Sequence, residues 1–80
     1  MHEWLVAASR RLAEVVGDGA GDYVLTQAEI DDLLELARVA AHESGERINA
    51  PLLSYLVGLA HGRHGGDLAD LVDTAVGKRI

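Results

Sequence analysis

Apolar residues in this chain recur three or four positions apart, in four runs that each close on glycine. That spacing follows the 3.6-residue turn of an α-helix, and nowhere does it alternate as a half-buried strand would. Each run therefore specifies a helix with an apolar face, and such faces are satisfied only by packing on one another. Eighty residues hold one hydrophobic core. The expectation is a single all-α domain over residues 1–80, a compact four-helix bundle with helices at about 2–16, 27–43, 50–64 and 67–77.

The helix ends carry their own signals. Trp4, Leu5, Ala8, Leu12, Val15 and Val16 form the first apolar stripe, and Gly17 opens a glycine-rich loop through Asp22. Thr26 and Glu29 have the spacing of a capping box, in which each side chain accepts the other's amide, and Leu25 with Ile30 supplies a hydrophobic staple. The second helix then buries Ile30, Leu33, Leu34, Ala37, Ala40 and Ala41 and stops at Ser44-Gly45. Asn49 before Ala50-Pro51 reads as an N-cap with proline in the first turn. Residues Leu52 to Ala60 are apolar on nearly every side, which makes the third helix the expected centre of the bundle. Asp67 caps a fourth helix that turns Leu68, Leu71, Val72, Ala75 and Val76 inward, with Lys78 and Arg79 at its negative end.

Charge and composition narrow the function. Thirteen acidic against seven basic residues give a net charge of -6, which repels phosphate backbones and anionic membranes, so neither nucleic acid nor a membrane is an expected partner. There is no cysteine, hence no disulfide and no thiolate metal site. The beginning, Met1-His2-Glu3-Trp4, is unlike a signal peptide, and no apolar stretch has the length of a membrane span, which leaves a cytoplasmic location as the expectation. A chain this short has a thin margin of stability unless its helices pack closely or a partner covers one face, which leaves self-association open.

Candidate chemistry is sparse. His61 and His64 are neighbours on one helix surface, and His42 at the end of the second helix joins them if the two helices pack antiparallel; three imidazoles would suit zinc. Asp18, Asp22 and Glu29 take positions one, five and twelve of a calcium loop, but Ala20 and Tyr23 stand where a ligand and the turn glycine belong. Ser9, Ser44 and Ser54 lie in no nucleophile motif, and Asp31, Asp32 and Glu35 on a helix face suit solvated carboxylates better than a catalytic pair. No catalytic residue and no cofactor is assigned, and an enzyme is not expected. Gly58 and Gly62, four apart on one face, predict a close contact with another helix of the same chain, with a homodimer face as the alternative. His42, Arg47 and Asn49 crowd the second connection. Capping and pairing of Arg47 with Glu43 or Glu46 explain them structurally, and a partner-binding spot shared with His61 is the alternative.

The stretch Leu33-Leu34-Glu35-Leu36-Ala37-Arg38-Val39-Ala40-Ala41-His42, then Arg47, Ala50-Pro51-Leu52 and Leu56-Val57-Gly58-Leu59-Ala60-His61-Gly62, resembles a family of short bacterial helical domains of unknown function. Its members stand alone or at the carboxyl end of molybdopterin-guanine dinucleotide biosynthesis proteins. The similarity covers about half the chain, and the turn before Asn49 holds less proline than is usual in the family. It implies an accessory or interaction module beside molybdenum-cofactor assembly and carries over no catalytic residue. A metal- or small-molecule-binding protein using His42, His61 and His64, and a homodimer without ligand, are the competing readings.

Overall fold

The computed structural model describes residues 1–77 and contains four helices: α1 (Glu3–Val16), α2 (Gln27–Ser44), α3 (Asn49–His64) and α4 (Leu68–Ala75). No strand is present among the described residues. The all-α class and the four expected helices are found, each within two residues of the predicted ends; Lys78 and Arg79 lie outside the described residues.

Local chemistry explains the boundaries. The Thr26 Oγ1 accepts the Glu29 amide at 3.1 Å while Glu29 Oε1 accepts the Thr26 amide at 2.8 Å, so the capping box is complete. Asp67 accepts the Ala69 amide at 2.9 Å and starts α4. His2 performs the same task for α1, its Nδ1 accepting the Trp4 amide at 3.1 Å, a cap the spacing did not reveal. Gly17 and Gly45 end α1 and α2 at φ 79° and 76°, where a side chain would be strained.

Asn49 departs from its expected role. It is the first residue of α3, not its cap; Ile48 holds the cap position in a helical conformation with no side-chain hydrogen bond. The reason is the turn before it: the Asn49 and Ala50 amides donate to the Glu46 and Arg47 carbonyls at 3.2 and 3.1 Å, leaving a side-chain acceptor nothing to satisfy there.

The packing centre is Leu36 of α2, fully buried, with Val57 of α3 and Val72 of α4 around it. Leu33, Leu53, Leu68, Leu71 and Val76 close over this cluster. Here the predicted stripe of α2 is rotated: Leu36, absent from it, is the most enclosed side chain, whereas Leu34, included in it, is 66% exposed. Two overlapping rows of apolar residues run through Leu33–Ala41, and packing selects the row Leu33, Leu36, Ala40, where small Ala40 lets neighbouring helices approach.

The helices do not share this core equally. α2, α3 and α4 pack mutually, whereas no α-carbon of α1 comes within 8 Å of one in another helix. α1 buries the small residues Ser9 and Ala13, and its bulky stripe of Trp4, Leu12, Val15 and Val16, expected to face inward, is exposed. The radius of gyration is 13.3 Å, against about 12 Å for a typical globule of this length. α3 meets both α2 and α4, but it is enclosed on one side only.

Candidate interaction surface

The open side of α3 is continuous. Leu52, Tyr55, Leu56 and Leu59 follow one another at helical spacing along it, and all four are exposed; Tyr55 keeps 64% and Leu56 58% of its surface. Opposite them on the same helix, Leu53, Val57 and Ala60 face the core. The all-round apolar character that pointed to a buried rod thus divides into an inner face packed on α2 and α4 and an outer face that stays largely exposed between two open grooves.

This outer face is also free of carboxylates. No Asp or Glu occurs anywhere from Asn49 to His64, in a chain that carries thirteen. Arg63 is the one permanently charged residue on that helix. The acids lie elsewhere, many on α2, where Asp31 accepts from Gln27 at 2.9 Å and Glu35 holds Arg38 in a two-pronged ion pair at 2.6 and 2.9 Å. That pairing raises the affinity of the Arg38 guanidinium for its proton.

Two grooves flank the stripe. Leu12 and Val16 of α1, with Tyr23, face Tyr55, Gly58, Leu59, Gly62 and Arg63 across an open trough of about 730 Å³. A second, of about 490 Å³, runs between the end of α2, the start of α3 and the end of α4, and its walls include Asn49, Leu52 and Leu56. Gly58 and Gly62 make no close intramolecular contact: a Cβ built on either meets no atom within 4 Å. The predicted approach of another helix of the same chain is therefore absent. What the glycines do is lower the floor of the first groove, beside the Tyr55 and Leu59 side chains.

The histidines are not gathered. Among the described residues, no three His, Cys, Asp or Glu side chains stand close enough to hold a metal ion, so His42, His61 and His64 form no ligand set. His61 Nε2 lies 3.2 Å from the Gly66 carbonyl, tying the end of α3 to the turn before α4, while His42 and His64 are exposed. Arg47 is exposed and, among the described residues, pairs with neither Glu43 nor Glu46.

The remaining chemical candidates are occupied locally. Tyr23 donates its hydroxyl to Asp18, and Asp22 accepts the Gly19 amide at 2.8 Å, so the first loop spends its acids on its own turn. Asp18 holds the Tyr23 phenol above its ordinary pKa, first through this hydrogen bond and then, with Asp22, through its charge. Ser9, Ser44 and Ser54 donate to backbone carbonyls of Val6, Ala40 and Ala50 within their own helices. No helix of the described residues is long and apolar enough to cross a membrane.

The surface feature that sequence reasoning missed is that the outward apolar side of α3 stays exposed. The absence of acids over sixteen residues of an acidic chain was its signal. No curated protein and no solved structure matches the chain. One family model does, over residues 1–80, and the chain belongs to that family, the domain of unknown function DUF6457.

Proposed function

We propose that this chain is a helical protein-interaction module, not an enzyme, and that it works through the outer face of α3. The observation that carries the reading is the row Leu52, Tyr55, Leu56 and Leu59, exposed, apolar and without a single carboxylate on its helix. Leaving four large side chains in water costs a small domain solubility and stability, and faces of this kind in soluble proteins mark contacts with other chains. Tyrosine flanked by leucines is also the composition of an interface centre, which excludes charge and concentrates binding energy in a few anchors. The net charge of -6 supports a protein partner over a nucleic acid.

The finer reading is an accessory role in molybdenum-cofactor biosynthesis. Its support is the resemblance of α2 and α3 to domains attached to molybdopterin-guanine dinucleotide biosynthesis proteins. A photo-crosslinking residue placed at Tyr55 in living cells tests both levels, with the same residue at Asp31 as control. A covalent protein adduct at position 55 and none at 31 is expected, and no adduct at 55 contradicts the module. Adducts solely with proteins unrelated to that pathway contradict the finer reading.

The metal-binding alternative has no support from a cluster of ligands: among the described residues no three His, Cys, Asp or Glu side chains are grouped to hold an ion. Zinc is therefore expected to leave the melting temperature unchanged.

A further inference from the structure

Resting on the interaction reading, we infer that the partner is held in the groove between α2, α3 and α4, and that it inserts there a peptide segment with a bulky apolar side chain next to a lysine or arginine. Three features of the groove specify this chemistry. The first is its lining. Val39 of α2, Leu52, Leu53 and Leu56 of α3 and Val76 at the end of α4 enclose about 490 Å³, within the range of clefts that hold a ligand. Leu52 and Leu56 belong both to this groove and to the exposed row of α3, so an apolar side chain lodged here covers one end of that row.

The second is charge. Among the described residues Glu43 is the one charged residue lining the groove, and its carboxylate takes part in no hydrogen bond or ion pair. It stands in the last turn of α2, where a carboxylate opposes the helix dipole and gains nothing within the chain. Glu35, by contrast, is held by Arg38. The complement of an unpaired carboxylate at the rim of an apolar groove is a cation, and a net charge of -6 draws a basic segment while it repels a second copy of the chain.

The third is Asn49. It is half-buried, lines the same groove from the first turn of α3 and caps nothing, and its carboxamide makes no hydrogen bond among the described residues. A carboxamide sets an acceptor beside a donor, which a backbone peptide group complements with its own N–H and C=O, and this favours a peptide over a simple amine. The residue whose expected role as a cap the fold leaves vacant thus holds the partner's main chain. Glu43, one helix away, takes the cation, and the leucines of α3 take the apolar side chain.

Selection of a displayed library of short random peptides on the immobilised full chain is the test, followed by binding of the selected peptides to variants with helical circular dichroism recorded for each. The expected peptides share a large apolar residue beside a lysine or arginine. Glu43→Lys suits the end of α2 and so keeps its helix, and weakens their binding about tenfold or more. Asn49→Ala removes no cap and weakens it about fivefold. Glu14→Lys makes the same change in net charge on an exposed position of α1 outside both grooves, and leaves binding within about twofold. A library that enriches nothing, or peptides without a basic residue, overturns the inference, and so does binding that Glu43→Lys leaves intact or that Glu14→Lys weakens equally. A chain that sediments at twice 8.5 kDa and that the peptides do not dissociate places a second copy in the groove and also overturns it. If the inference fails while a crosslinker at Tyr55 still captures a protein, the module stands and only the occupant of this groove changes. If position 55 captures nothing, both fall.

Discussion

Leu34 and Leu36 stand two positions apart on α2 in opposite surroundings, one 66% exposed and the other without any exposed surface. Truncating Leu36 to alanine removes the side chain on which Val57 and Val72 pack, and costs about 3 kcal/mol of stability, as buried leucines do. Leu34→Ala costs less than about 0.5 kcal/mol. Denaturant unfolding of both variants at one protein concentration measures the difference, and equal losses would contradict the assignment of the core. Tyr23 gives a residue-scale prediction in pH. Its neutral phenol donates to Asp18, and the phenolate cannot, so its ionisation requires a pH above the ordinary 10.0. The hydrogen bond therefore contributes below that pH and is lost as pH climbs through the raised value. In an ultraviolet titration, Asp18→Asn moves the Tyr23 midpoint down toward 10.0, with Tyr23→Phe identifying the component. An unchanged midpoint in Asp18→Asn contradicts the pairing.

Among the elements, α1 is set apart. It brings no backbone close to the other helices and buries only small side chains deeply, so its amides are held by fewer tertiary contacts than those of α2 and α3. Native-state hydrogen exchange is expected to show α1 opening first, and equal protection across all four helices would contradict this. Caps differ likewise. Thr26→Ala breaks a bonded capping box and costs about 1 kcal/mol, whereas Asn49→Ala removes no cap and costs less than about 0.5 kcal/mol. The ends of the helices were legible in the sequence because capping chemistry is local: Thr26 with Glu29, Asp67 and Gly17 each act within a few residues. Which stripe of α2 turns inward was not, since two apolar rows overlap there and only contact with α3 and α4 decides between them. The inward reading of α1 failed for a related reason. Trp4, Leu12 and Val15 announce an apolar face but not what it meets. The same limit governed the site: Gly58 and Gly62 were singled out by spacing, yet whether they serve the chain's own helices or another molecule depends on packing. The histidine trio, with His42 on α2 and His61 and His64 on α3, is not grouped for a metal, and which side chains meet across two helices is not encoded by spacing along the chain.

At the scale of the molecule, three helices close around a small core and leave the fourth, with one face of the third, unfinished. Among the described residues five hydrophobic side chains are buried, and two of them are alanines, so little of the stabilisation usual for a domain comes from deep burial. Association would supply the remainder, making stability and assembly inseparable and the melting temperature dependent on partner concentration. On the proposed reading, a module built this way is shaped by what covers it as much as by its own sequence. Hydroxyl-radical footprinting of the chain in living cells, with the purified chain as the reference, reads that cover directly. In the isolated chain Tyr55 and Leu56 are about as open as Leu34, at 64%, 58% and 66%. Strong protection of Tyr55, Leu56 and Leu59 beside free labelling of Leu34 is the predicted result, and labelling of the α3 row as readily as Leu34 would contradict it.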